Sequence, residues 1–205
     1  MTIGQMHDFI NLLKNQGQGG YHSPEEIDRA LNSGSSDKFG EEKQEFERTQ
    51  KISGDLANFK KVASVVISAG YGPLPADYDY ATGATTNAGL PIDIVPESEW
   101  PTRLNDPVAP PIATYPIMAI RDQIQVEPTL TPIKLYYLRQ PVDVEYVYSD
   151  SGGDITPNPG ASTNSDWPIN CHVDIVLRAL VYLGVPLSED VLIKLKSFKK
   201  QTEQV

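Results

Sequence analysis

Apolar side chains recur at helical steps near both ends of the chain and at strand-like steps through its middle. Ile3, Met6, Ile10 and Leu13 fall on one face at three- and four-residue intervals, and Thr2 with Gln5 has the form of a capping box just before them. This predicts a short amphipathic helix ending near Lys14, followed by a flexible breaker over residues 15–20 (NQGQGG). Ser23, Pro24 and Glu26 repeat the start signal. Serine accepts from an orphan amide, proline has no N–H to lose at the first helical position, and glutamate bonds back to the cap. Residues 32–36 (NSGSS) predict an interruption of that second helix. Beyond it, Phe39, Phe46, Ile52, Leu56 and Phe59 stand sparsely among Glu, Lys and Gln. So thin a stripe predicts a long exposed helix over residues 41–61, covering a sheet or a neighbouring subunit through one narrow face.

In the middle, Val62, Val65, Val66 and Ile67 form a β-branched run that reads as a strand, ended by Gly70, Gly72, Pro73 and Pro75. The stretch that follows reads mostly as loop. Residues 92–95, 115–120 and 123–127 are short strand candidates bounded by prolines, and residues 133–138 with 142–148 make a further pair around Pro141. Val142, Val144, Tyr146 and Tyr148 alternate with Asp143, Glu145 and Val147, the mark of a half-buried strand. Residues 98–104 suit one helical turn carrying Trp100 and Arg103, and residues 149–166, rich in Ser, Gly, Asn, Asp and Pro, read as a long loop of the kind that makes contacts. Val173, Val176, Leu177, Leu180 and Leu183 then repeat at helical spacing up to Gly184 and Pro186. Ser188 caps a last helix with Val191, Leu195 and Phe198 on one face and Lys196, Lys199 and Lys200 near its end, so that two C-terminal helices form a hairpin.

Composition sharpens this outline. With 205 residues and 40% hydrophobic content, the chain is long enough for one ordinary core, or a core with a small appendage. Residues 1–61 hold 8 basic and 10 acidic side chains, residues 62–165 hold 4 and 12, and residues 166–205 hold 5 and 5, so the net charge of −10 lies mostly in the middle. The middle also carries 14 of 17 prolines and 8 of 10 tyrosines, as expected where helices flank a strand-and-loop region. The expected class is α+β. It has an N-terminal helical arm over 1–61, a small antiparallel, proline- and tyrosine-rich sheet over 62–165, and a helical hairpin over 166–205 that packs with the rest as one core. No fixed-period repeat appears. No run reaches the ~20 apolar residues of a membrane span, and the N-terminus lacks the layout of a signal peptide, so a soluble chain is expected. An acidic chain is also a poor match for tracking nucleic acid on a basic face.

Catalytic and metal chemistry find little material. Cys171 is the single cysteine, which excludes every multi-cysteine metal site, and three scattered histidines leave little material for a zinc site. Cys171 and His172 are neighbours, yet adjacent helical residues point about 100° apart and make no nucleophile and base by themselves. Asp150, Gly152, Gly153 and Asp154 (in DSGGD) lack the acidic spacing and closing glutamate of a calcium loop, and read as a solvated contact loop. The glycines at 17, 19 and 20 are followed by no Lys and Ser/Thr of a phosphate loop. His7 and His22 read as surface or capping residues, and the lysines over 194–200 as an exposed helix end. Tyr136, Tyr137 and Arg139 differ, because Tyr and Arg favour protein interfaces. With Met6, Ile10, Leu13, Phe39 and Phe46 they make the candidate contact set for neighbouring subunits. No catalytic residue, metal or cofactor is expected.

Several strings then resemble, in order, the neck or ring proteins of crAss-like and related short-tailed phages of Bacteroidetes. They are residues 1–8 (MTIGQMHD), 24–32 (PEEIDRALN), 46–56 (FERTQKISGDL), 73–78 (PLPADY) and 136–141 (YYLRQP), with the helix over 172–184. The chain departs from the pattern at residues 33–36, where relatives continue a helix with larger side chains. The resemblance implies a non-enzymatic virion protein, made in the host cytoplasm, that closes into a twelvefold ring between portal and tail. Its implied partners are further copies of itself, the portal protein, neighbouring neck or tail proteins, and genomic DNA passing through the channel without specific binding. An acidic middle suits a channel wall that repels DNA and lets it slide. The alternative is a β-rich module of a tail or cell surface that recognises a receptor or carbohydrate through its tyrosine-rich strands and the 149–166 loop. A third reading, a small hydrolase, requires two of Asp77, Asp79, Glu97 and Glu99 to face each other across a pocket.

Overall fold

The computed structural model describes residues 1–16, 20–49, 51, 53–151 and 154–185. The chain divides into two compact units, one from Met1–Asn58 with Pro141–Val205 and one from Phe59–Gln140. Both helical flanks thus belong to one unit. The sequence boundary at 165 gives way to one at 140, because residues 141–165 pack with the helices.

In the first unit, α1 (Ile3–Gln16) and α2 (Pro24–Thr49) start at the two capping boxes. Gln5 N–H donates to Thr2 Oγ1 at 3.3 Å and Thr2 N–H to Gln5 Oε1 at 2.8 Å. Glu26 N–H donates to Ser23 Oγ at 3.3 Å and Ser23 N–H to Glu26 Oε2 at 2.9 Å. The predicted interruption at 32–36 is absent: α2 runs unbroken through it. Small, polar residues there do a packing job. A Cβ on Gly34 would lie 2.9 Å from the Ile175 carbonyl oxygen, so only glycine lets α2 approach α4 (Ile169–Tyr182) this closely. Beside it the Ser35 hydroxyl accepts a buried hydrogen bond from Trp167 Nε1 at 2.8 Å. Tertiary packing here overrides the weak helix propensity of Asn, Ser and Gly.

The phenylalanine stripe is also buried more thoroughly than its spacing suggests. Phe39 and Phe46 are 5% exposed and Leu56 0%. The long exposed helix expected over 41–61 is replaced by the end of α2 at Thr49, a 3₁₀ turn at Asp55–Phe59 and the start of a strand at Lys60, while Ile52 lies outside the described residues. At its other end α4 stops at Gly184 (φ +66), where Val185 N–H bonds the Leu180 carbonyl and Gly184 N–H that of Val181, closing a left-handed cap. The last helix of the expected hairpin falls on residues outside the described ones.

The second unit holds two sheets. β1 (Lys60–Val65), β7 (Ile133–Arg139) and β3 (Tyr78–Thr86) form an antiparallel sheet in the order β1-β7-β3. β2 (Tyr71–Gly72), β6 (Ile124–Glu127), β5 (Ile117–Ile120) and β4 (Asp93–Ile94) form a second, mixed one, because β4 runs parallel to β5. The single antiparallel sheet expected is thus two. β3 is a strand where sequence suggested loop; register shifts between Tyr78 and Tyr80 and between Ala81 and Gly83 break its alternation. Val65, Ile67, Met118, Ile124, Val126, Ile133 and Leu135 make the core of this unit. A satellite cluster of Val95, Ile117 and Ala119 holds Trp100 of the short α3 (Trp100–Leu104).

Residues 142–147 do not pair with β7 as proposed from their alternation, and the 149–166 loop contains a hairpin, β8 (Tyr148–Ser151) with β9 (Asp154–Pro157). The extended backbone over 144–148 is held on one edge by Thr163, Asn158 and Ser162 and on the other by side chains of α2. Asn32 clamps Val144 from both sides, its Oδ1 accepting from Val144 N–H at 2.7 Å and its Nδ2 donating to the Val144 carbonyl at 3.1 Å. Asp28 Oδ2 accepts from Tyr146 N–H at 2.9 Å, and Glu25 Oε1 accepts from Tyr148 Oη at 2.6 Å. Two turns of helix rise about 10.5 Å over seven residues, close to the roughly 13 Å covered by four strand residues. Glu25, Asp28 and Asn32 on one helical face therefore match every second residue of the strand. Asn32→Ala leaves both polar groups of buried Val144 unpaired, and a loss of about 2 kcal/mol is expected in a urea titration. A loss under about 0.5 kcal/mol would mean that water replaces the clamp.

Candidate functional site

The candidate contact residues fall into distinct surroundings. Met6, Ile10, Leu13, Phe39 and Phe46 are 0–5% exposed and lie in the core of the first unit, so their side chains present no surface to a second copy. Tyr136 is half-exposed on the outer face of β7, opposite Val62, which is also exposed. Tyr137 points the other way: it is buried, and its hydroxyl donates to Asp77 Oδ1 at 2.8 Å. Burial, together with that bond, pushes the Tyr137 phenol up to about 12. Arg139 places its guanidinium 5.4 Å from the Phe59 ring centroid. Asp150 sits in β8 and Asp154 opens β9, while Gly152 and Gly153 lie outside the described residues.

Two of the four carboxylates of the hydrolase reading, Asp77 and Glu97, are engaged elsewhere. Lys61 Nζ reaches Asp77 Oδ2 at 2.6 Å and, with Tyr137, holds that carboxyl below its ordinary range. Arg121 meets Glu97 at 3.1 Å. Cys171 is buried, and burial reinforced by a hydrogen bond to Asp55 pushes its thiol up to about 12, so little thiolate exists at neutral pH. His172 uses both ring nitrogens away from it: Nε2 donates to the Trp167 carbonyl and Nδ1 meets the Met1 amino nitrogen, each at 2.8 Å. Among the described residues, no group of three or more His, Cys, Asp or Glu is placed to hold a metal ion.

Several concavities open on the first unit, of which two bear on the candidate residues. One, of about 590 Å³, is lined by His7, Asn11 and Lys14 of α1 with Tyr21, His22 and Tyr146. His7 is buried, donates from Nε2 to Asp28 Oδ1 at 2.7 Å, and stacks on Tyr146 with ring centroids 4.4 Å apart. Of the two histidines expected as surface or capping residues, His7 is buried instead, because Asp28, whose partners lie far along the chain, bonds it. The second concavity is an apolar groove of about 520 Å³ lined by Phe9 and Leu12 of α1 and Ile169 and Val173 of α4.

The second unit presents a different feature. Residues 104–116 carry Leu104, Val108, Ile112 and Tyr115 at 38, 90, 48 and 76% exposure. The segment is ordered by its own bonds. Asp106 Oδ1 accepts from the amides of Val108 and Ala109, and Tyr115 N–H donates to the Ile112 carbonyl at 2.9 Å. Pro107, Pro110, Pro111 and Pro116 fix much of the remaining backbone.

The chain is an α+β protein by this architecture, and none of its described helices is long and apolar enough to cross a membrane. No protein-family profile matches it, and no curated protein matches it either.

Proposed function

We propose that the chain is a non-enzymatic structural subunit of a phage virion, closing into a ring in the neck that joins portal and capsid to the tail around the DNA channel. The observation that carries the assembly part is the 104–116 segment: four large apolar side chains held outward on a proline-stiffened, self-bonded loop. Such a loop has little conformational freedom left to lose on association, and apolar groups clustered so openly mark contact surfaces. Val62 and Tyr136 on the outer β1/β7 face are further exposed apolar side chains of the same unit. Head-to-tail contact between unlike patches closes into a ring when the rotation fits. The ordered strings from MTIGQMHD to YYLRQP supply the neck assignment by resemblance.

The test is complementation of a phage that lacks this chain. The wild-type chain should restore tailed particles. A Val108→Asp, Tyr115→Asp variant that keeps its circular dichroism should restore roughly tenfold fewer or worse, as expected for loss of interface anchors. Normal particles assembled without the chain would end the proposal, and full rescue by the double variant would remove the loop from it. A monomer that instead binds glycan would favour the receptor-binding alternative.

A further inference from the structure

The apolar groove between α1 and α4 is one end of a longer open strip. Val173, Leu177 and Val181 follow one another at four-residue steps along α4; Leu177 is half-buried and Val181 65% exposed. At the groove itself Ile169 is 61% and Leu12 of α1 56% exposed, beside Phe9. From Ile169 to Val181 the strip runs about 18 Å along the helix, and apolar side chains lined up over that length mark a surface that another element covers.

The chain itself carries a segment that fits. Val185 is buried and folded back by its bond to the Leu180 carbonyl, and 20 residues follow it. Of these, residues 188–200 are predicted from sequence to be a helix capped by Ser188. Only residues 183–187 separate that cap from the end of α4, and connections of about two to five residues join helices that lie antiparallel against each other. A helix over 188–200 reaches about 20 Å, the length of the strip. The register agrees as well. Counting outward from Pro186, Val181 and Val191 stand five residues away on either side, Leu177 and Leu195 nine, and Val173 and Phe198 thirteen and twelve. Val191, Leu195 and Phe198 share one helical face, bordered by Lys194, Lys196 and Lys199, whereas Ile193 lies about 160° from Leu195. The borders of the strip are acidic: Asp8 lines the groove, and Asp174, 3.8 Å from Lys38, stands beside Val173. The Met1 amino group, also on the lining, meets His172 Nδ1 at 2.8 Å.

We infer that residues 188–200 of the same chain cover this strip antiparallel to α4, with Phe198 seated in the groove between α1 and α4. The inference is independent of the ring proposal.

The test uses the full chain with paired cysteines, Val181→Cys with Val191→Cys, under mild oxidation at low protein concentration. A disulfide within one chain is expected, found by mass spectrometry of the digested protein, with the circular dichroism unchanged. Val181→Cys with Ile193→Cys places the second thiol on the far side of the segment and should cross-link roughly tenfold more slowly or not at all. Hydrogen exchange of the chain without added cysteines reads the same seat. The amides of residues 191–200 should exchange roughly tenfold more slowly, or slower still, than in a free peptide of that sequence, and Phe198→Asp should remove most of the protection. Exchange at the free peptide's rate, no cross-link in the first pair, or equal cross-linking of both pairs would overturn the inference. So would a disulfide-linked dimer as the main product, since the groove would then hold the segment of a second copy.

Discussion

Replacing Gly34 with leucine is expected to destabilise the helical unit by about 3 kcal/mol, at the upper end of what overpacking usually costs. The added Cβ alone meets the Ile175 carbonyl oxygen at 2.9 Å, Arg178 Cβ at 3.0 Å and the Ala179 nitrogen at 3.3 Å. Two of those three atoms are backbone, so relief requires α2 and α4 to separate and to strain the neighbouring bonds between them. Those bonds are the Arg178–Glu41 ion pair and the Tyr182–Asp37 hydrogen bond, with the Ser35–Trp167 hydrogen bond just ahead of α4. Gly34→Ala carries the same Cβ and gains about 1 kcal/mol of helix propensity, so its net loss should be smaller. Gly40, one and a half turns further along α2, has nothing within 4 Å of its Cβ position, and Gly40→Ala should stabilise by roughly 0.5–1 kcal/mol. Urea titrations of the three variants, followed by far-ultraviolet circular dichroism, check the order. A stabilising Gly34→Ala would mean that the helices do not approach this closely.

Lys38→Met is expected to cost about 2–3 kcal/mol. Lys38 is 6% exposed and stands 3.5 Å from Glu42, 3.5 Å from Asp55 and 3.8 Å from Asp174, with the Trp167 ring centroid 5.5 Å away. Burial alone disfavours its charge. The surrounding groups, Cys171, Glu42, Asp55 and Asp174, outweigh that and hold its pKa above the ordinary lysine value. Removing the cation leaves three carboxylates crowded around an apolar side chain. Each is 22–28% exposed, and water reaching them keeps the loss below the full range for a dry ion pair. Adding Asp174→Asn to Lys38→Met should recover part of the loss, which plain loss of packing would not do. The exposed pair Arg48–Glu45 is the contrast: Arg48→Ala should change stability by under about 0.5 kcal/mol.

The helix starts were legible because capping boxes are local: Thr2 with Gln5 and Ser23 with Glu26 act within four residues, and both form. The stop at Gly184 was legible for the same reason. What the sequence hid was set by distant partners. The NSGSS segment looks like a breaker until α4 is laid beside it, when Gly34 and Ser35 become the residues of closest approach. The 142–148 alternation correctly marked extended backbone, yet besides the Glu145–Thr163 bridge its backbone is bonded by Asp28 and Asn32 of a helix, which no strand-pairing rule anticipates. β3 was lost to its bulges. The cleft had both of its histidines in view, but Asp28 gains meaning only when α1 and α2 are brought together.

The assembly proposal is tested most directly by cryo-electron microscopy of intact particles from the source of this chain, with its copies located and their symmetry measured. A closed ring of copies between portal and tail, touching through residues 104–116, is the result expected. Particles whose neck lacks the chain, or copies found only at a tail tip, would contradict it.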